Sequence, residues 1–512
     1  MSSTKLALHA ATVVAALTIF ACLWTMLGRL GADVELEWMT GAIHDAVDRV
    51  RAGKELYVAP SVDWTPFLYP PLYVWLVAKL SALLPFSLAA RGLSILATLA
   101  SAGCVWRLAR AHGASRAWSF VGIGVFAAAF GNVSYWYDVE RVDSLLVALL
   151  MGATVLLVER EGLLATAGAA MLVGLAFFAK QPALVFALAA TGALAVRRSF
   201  ARAAVFALVS GAIIGGGILW LQARSDGWFA YYVFRVPSAH GIRPKLFTVL
   251  FFEDVPRAFA LVAAMAWLTV RFVRHRRDGI LTAMCLAAAF ASGSSRVHLG
   301  GWDNVLVFFT TFGSVAVAIA GTELGARALV PAVVAVQMAL WSWSPRAQMP
   351  DATAVSAARA FEAKVKELEK DGEVLVLGRG HVTTPPHAHL AALNDVYQAE
   401  HRIPDRIAAS FREARFAAIV LDGLDDLDLP YIPVLHGDLA TIVLARYAIA
   451  ERLPEMPGAI VGYHTRPRLV LRPRATPLDE HAPTTVRCHA DEELAAVEGN
   501  HADLARCAEL LR

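Results

Sequence analysis

Apolar residues come in long runs over most of the first 345 positions, separated by short polar connections. Eleven of these runs approach the roughly 20 residues of helix that cross a bilayer core. They lie at 6–28, 88–106, 117–131, 142–158, 162–179, 182–196, 203–222, 256–272, 279–295, 303–321 and 327–344. A further run, Leu72 to Pro85, is shorter, is interrupted by Lys79 and follows Pro70-Pro71. It reads as a helix lying half-inserted at the interface. The pattern is broken by one long polar stretch, Gly31 to Leu72, which opens with acids at alternate positions, Asp33, Glu35 and Glu37.

After Pro345 the pattern changes. Ala354 to Lys370 has helical spacing, with Phe361, Val365 and Leu368 on one side. Glu373 to Gly378 and Phe416 to Leu421 read as buried strands, and a helix over Ile407 to Arg415 precedes the second. Alternating helices and strands predict a small α/β domain at 346–475, followed by a polar tail at 476–512. The expected fold is therefore mainly α: a multi-pass membrane domain at 1–345 with about eleven spans, carrying a small α/β domain.

Composition supports the membrane reading. Of 512 residues, 57% are hydrophobic and 17% charged, against roughly 25% charged in a soluble domain. A net charge of +3 is too small to imply a nucleic-acid partner, no Lys/Arg run suggests one, and none is expected. The arginines fix an orientation, because Lys and Arg collect in short cytoplasmic loops. Arg107, Arg110 and Arg116 share one connection, Arg197, Arg198 and Arg202 a second, and Arg271, Arg274, Arg276 and Arg277 a third. All three fall on the cytoplasmic side if the N-terminus is cytoplasmic and Leu72 to Pro85 does not span. The acidic stretch, the loops around Asp138 and His298, and the C-terminal domain are then extracytoplasmic, and the plasma (inner) membrane is the expected location. The first run has the weakly basic start of a signal peptide, but its length and the many runs behind it favour an uncleaved helix. Cys22, Cys104 and Cys285 lie in apolar runs, whereas Cys488 and Cys507 fall in the tail, where an oxidising compartment would let them pair.

Several polar positions bear on chemistry. The acidic stretch also carries Trp38, Tyr57, Trp64, Phe67 and Tyr69 with four prolines, so it reads as packed. A carboxylate held there could take a proton from a hydroxyl nucleophile, or bind a divalent metal ion that holds a phosphate. Arg141 and Asp143 stand at a membrane boundary, where they either cap a helix or belong to a site. Lys180-Gln181-Pro182 separates two apolar runs, and Lys180 is either a functional cation or a lysine snorkelling to the interface. Arg243 sits in the aromatic, amphipathic segment Arg224 to Pro256, where basic residues could meet a lipid phosphate. Asp422, Asp425, Asp426 and Asp428 read as a solvated turn, and His381, His387 and His389 as loop histidines without a cysteine partner.

Gly31-Ala-Asp33, Gly53-Lys-Glu-Leu-Tyr57, Pro60 and Tyr69-Pro-Pro-Leu72 together resemble the first external loop of the GT-C superfamily, the polyprenyl-phosphate-dependent glycosyltransferases. In that family an acid near the start of the loop is the catalytic carboxylate. Asp33 is the matching position, with Glu35 the near alternative. Arg141-Val-Asp143 is similar to the family's Arg-x-Asp segment at the second external loop, which makes Asp143 a second site acid facing Asp33. The family's phosphate-contacting basic residue corresponds to Lys180, beside Gln181, and its later donor-covering loop to the turn that carries His298 and Asn304. Tyr69 and Arg141 complete the substrate-binding candidates. The resemblance implies a lipid-linked sugar donor, membrane lipids around the site, and a glycan, lipid or protein acceptor. The competing reading from the residues is a multi-span transporter or lipid flippase, which inverted repeats with helices broken at the midplane would favour.

Overall fold

The computed structural model describes residues 2–325, 327–423, 437–454 and 459–498. The chain forms two compact units, one of 1–32, 69–223 and 241–349, the other of 33–68, 224–240 and 350–512.

The first unit is helical, and a helix lies at each of the eleven long apolar runs. They are Ser3–Leu30, Phe86–Ala111, Arg116–Asn132, Asp143–Glu159, Leu163–Ala179, Ala183–Val196, Phe200–Arg224, Phe259–His275, Gly279–Arg296, Val307–Leu324 and Leu329–Leu340. Among the described residues, four stretches, Ser3–Leu30, Phe86–Ala111, Phe200–Arg224 and Asp303–Leu324, are long and apolar enough to cross a membrane by length and composition. Leu17, Phe20, Trp24 and Leu27 of the first helix are exposed, a surface suited to lipid rather than water. Inside, small residues let backbones approach. A Cβ on Gly124 would fall 2.2 Å from the Ala15 Cβ, and one on Gly321 would strike the Trp118 ring. After Pro71 the helix Leu72–Leu80 has nine residues. That is about 14 Å of rise, half of what a span requires.

The second unit holds a four-stranded sheet with β1 at Val374–Val376, β2 at Ala418–Leu421, β3 at Tyr447–Arg452 and β4 at Leu469–Pro473, in the order β1-β2-β4-β3. β1 and β2 are parallel, with Leu375 opposite Ile419. β4 runs antiparallel to both β2 and β3. Alternation along the strands sends side chains to two layers. Val374, Val376, Val420 and Val470 meet Phe361, Val365 and Leu368 of the helix Ala352–Leu368. Leu375, Ile419 and Leu471 pack with Leu393, Ile407, Phe411 and Val443 on the opposite face. Each such side chain contributes roughly 1.5–3 kcal/mol on full burial. The helix Pro483–Glu498 adds Val486 and Ala490 to that second layer, so the polar tail is packed at least to Glu498. Cys488 is disulfide-bonded, and Cys507 lies outside the described residues, as do Asp425, Asp426 and Asp428.

Residues 33–68 of the acidic stretch belong to this second unit. Their helix is Thr40–Arg51. Val461 donates its N–H to the Leu36 carbonyl at 2.8 Å, and Ala388 donates to the Val62 carbonyl at 2.7 Å. His389 lies against the Trp38 carbonyl at 3.2 Å and caps the helix Leu390–Glu400 by accepting from Ala391 N–H.

Candidate active site

In the first unit, the stretch 137–143 carries four charged side chains and divides them between two duties. Asp138 and Glu140 are fully buried. Arg29 Nη1 lies 2.8 Å from Asp138 Oδ1, and Arg91 Nε lies 2.5 Å from Glu140 Oε1. Burying charge is tolerable only when it is paired in this way. Arg91 also donates to the carbonyls of Arg29 and Ala32, at 2.8 and 2.6 Å. It thereby fixes the residue immediately before Asp33. Ser94 donates to the Val139 carbonyl, and Thr98 and Ser144 to that of Tyr137.

So pinned, the stretch delivers Arg141 and Asp143 to the start of the helix Asp143–Glu159. The carboxylate of Asp143 stands at the positive end of that helix dipole, and Lys180 at the negative end of Leu163–Ala179, each where its charge is favoured. Pro182 biases Gln181 away from helical backbone and so helps end the latter helix at Lys180. Lys180 Nζ lies 2.7 Å from Asp143 Oδ1. Asn304 donates to the same oxygen at 3.3 Å, and Trp136 Nε1 donates to Oδ2 at 3.1 Å. Arg141 Nη2 donates to the Tyr69 hydroxyl at 2.8 Å. The Arg141 guanidinium lies over the rings of Tyr69 and Trp136, and the Lys180 ammonium lies over the Tyr69 ring at 5.3 Å. The cluster thus brings two cationic side chains, Arg141 and Lys180, to the Tyr69 ring.

Of the residues singled out from sequence, the cluster unites Tyr69, Arg141, Asp143, Lys180 and Asn304, with Gln181 adjoining. Arg243 and His298 come together beside one another: Ile242 and His298 form an antiparallel bridge, and Arg243 donates its N–H to the Val297 carbonyl at 2.9 Å. Two further residues matter here that the sequence does not mark as candidates. Trp136 had no signal beyond its closeness to the charged stretch. Arg296, which opens the polar turn, ties it down through Asp254 at 2.7 Å, Asp303 at 2.8 Å and the Gly301 carbonyl at 2.9 Å. The turn then leads directly into Asn304.

In the second unit the three alternating acids diverge. Glu37 is wholly buried and accepts from Met39 N–H at 3.1 Å. Glu35 accepts from Gly41 N–H at 2.8 Å and pairs with Arg379 at 3.0 Å. Asp33 keeps an 88% exposed side chain, with Arg359 3.7 Å away. Nearby, Asp45 holds the His381 imidazole above its ordinary pKa by hydrogen bonding, whereas burial and the neighbouring His381 push His44 down to about 4.

Residues 67–297 match the family model for Glycosyltransferase family 87, a span that includes Tyr69, Arg141, Asp143, Lys180 and Arg243. The crystal structure of ArnT from Cupriavidus metallidurans bound to undecaprenyl phosphate is similar in fold. It superposes with a TM-score of 0.52 at 13% identity, covering 91% of this chain and 98% of that one. The oligosaccharyltransferase AglB from Archaeoglobus fulgidus, solved with an inhibitory peptide and a dolichol-phosphate, gives a TM-score of 0.49 at 10% identity, covering 85% of this chain and 72% of that one. No curated protein matches the sequence.

Proposed function

We propose that this chain, a glycosyltransferase of GT-C fold, moves a sugar from a polyprenyl-phosphate donor to an acceptor hydroxyl on the extracytoplasmic face of the membrane, with inversion at the anomeric carbon. The observation that carries the reading is the cluster of Tyr69, Arg141, Asp143 and Lys180, in which the Asp143 carboxylate holds the Lys180 ammonium and the Tyr69 hydroxyl accepts from the Arg141 guanidinium. Such a place suits a lipid-borne phosphate, whose head is anionic and whose tail requires apolar surroundings. The match of residues 67–297 to a glycosyltransferase family model favours an enzyme over a transporter.

In the reaction the acceptor oxygen attacks the anomeric carbon as the bond from that carbon to the phosphate oxygen breaks. The electron pair of the breaking bond goes to the departing lipid phosphate. Lys180 and Arg141 compensate the charge that develops there, and because both are already oriented they need little rearrangement. Asp143 is a positioning residue in this scheme, since its two oxygens already receive Lys180, Asn304 and Trp136. The acceptor proton goes to Asp33, whose carboxylate is exposed, rather than to Glu35, which Arg379 and Gly41 engage. The arginine-rich connections support a cytoplasmic N-terminus.

The test is binding of undecaprenyl phosphate to the purified protein in detergent. Lys180→Ala and Arg141→Ala are each expected to weaken it at least about tenfold, the effect of roughly 1.4 kcal/mol. Equal affinity in wild type and both variants would refute the phosphate site.

A further inference from the structure

Two glycines in the second unit face each other at backbone contact. A Cβ on Gly41 would lie 2.2 Å from the Gly380 carbonyl oxygen, and one on Gly380 would lie 2.2 Å from the Ala42 nitrogen. This approach sets the helix Thr40–Arg51 against the turn that follows β1. His44 and Asp48 are four residues apart and share a face of that helix. His381 comes up to the same face, its ring stacked on that of His44 with centroids 3.6 Å apart. One donor atom from each of His44, Asp48 and His381 lies within 4.8 Å of the other two. We propose that these three side chains bind a divalent transition-metal ion. Two imidazole nitrogens and one carboxylate oxygen suit Zn2+, with water in the remaining position. The inference rests on the second unit alone and is independent of the donor site.

The surroundings of His381 carry it further. Its Nδ1 lies 2.8 Å from Asp45 Oδ1, so the carboxylate receives the Nδ1 proton and leaves the Nε2 lone pair available. A carboxylate behind an imidazole is the usual way a metal-ligating histidine is oriented. Asp45 Oδ2 also accepts the His381 backbone N–H at 2.9 Å. That bond holds the residue at φ +55°, a left-handed conformation glycine would adopt freely. For an L-residue that conformation is unfavourable, because the Cβ crowds the following carbonyl oxygen. An imidazole kept in such a conformation points to a use for the ring. The ligand side chains are partly exposed, 26% for His44, 45% for Asp48 and 42% for His381, which leaves an ion a path of entry.

A second group in the same unit shows what a site without need of a metal looks like. Asp63, Glu373 and His387 are as close together. There, however, the Arg415 guanidinium lies 2.5 Å from Asp63 and 2.7 Å from Glu373, closer than Arg51 comes to Asp48, at 3.4 Å.

The experiment is equilibrium dialysis of the full-length, chelator-stripped protein in detergent against Zn2+ alone, with the metal counted by mass spectrometry. Wild type is expected to retain one equivalent. His44→Gln and Asp45→Asn are each expected to weaken retention by about 10–100-fold, while His387→Gln binds as wild type does. Circular dichroism of the metal-free proteins identifies folded variants, and Asp48→Asn, at an exposed position, serves where another variant fails to fold. No retained zinc in wild type, or wild-type retention in folded His44→Gln and Asp48→Asn, would overturn the assignment.

Discussion

The Lys180 ammonium lies 2.7 Å from the Asp143 carboxylate, where one apolar helix ends and another begins. Both side chains are largely shielded, 12% and 2% exposed. Removing one partner therefore strands the other. Asp143→Ala is expected to destabilise the protein by about 3–5 kcal/mol, and Lys180→Ala by a comparable amount. The double replacement should cost clearly less than the sum, because neither charge is then left alone. Thermal melts of the three variants measure this, and simple additivity would contradict the pairing.

Within the first unit, Arg91 pairs with Glu140 and holds the Arg29 and Ala32 carbonyls. Arg91→Met keeps the stem and removes every one of those bonds. A loss of about 3–5 kcal/mol in stability is expected, from removing the guanidinium beside the buried Glu140 carboxylate. A melt unchanged from wild type would show that Glu140 finds another partner.

His240 lies 3.1 Å from Asp395, which ties the end of 224–240 to the helix Leu390–Glu400. Burial alone would lower the His240 pKa, but Asp395 outweighs it and the net shift is upward. A raised folded value means that the pair's contribution is complete below the ordinary histidine range, near 6.5, and fades as pH climbs through the raised value. The melting difference between wild type and His240→Gln should therefore be largest in mild acid and shrink toward alkaline pH. A difference that grows with pH would reverse the assignment.

Glu35 and Asp33 make contrasting predictions although they are two residues apart. Glu35→Gln weakens the Arg379 pair and is expected to lower stability by about 1–3 kcal/mol. Asp33→Asn, with an exposed side chain, is expected to leave the melting temperature nearly unchanged. Melts of the two proteins side by side decide it, and equal losses would mean that Asp33 is also structural.

Much of this architecture can be read from the chain before folding. A helix announces itself in each long apolar run because alanine and leucine favour it over lengths far beyond chance. β1 and β2 are legible as short, continuous apolar segments. β3 and β4 are not: Tyr447-Ala-Ile-Ala-Glu-Arg follows a helix with no turn signal, and Leu469 to Pro473 is interrupted by Arg472. At the candidate site, Arg141, Asp143 and Lys180 stand out because charge is rare at the ends of apolar runs. Trp136 and Arg296 do not, since their importance depends on partners that only tertiary packing supplies. The same holds for the three acids. Nothing local distinguishes Asp33 from Glu35, and the difference comes from Arg379, which lies 344 positions along the chain from Glu35.

The most direct test of the central claim is transfer of a labelled sugar from a polyprenyl-phosphate donor by purified wild type and Asp33→Asn, at matched protein folding and saturating donor. Wild type should transfer the sugar, and Asp33→Asn should lose at least about 100-fold in rate, the usual scale of a general base. Transfer by Asp33→Asn at the wild-type rate would contradict the account.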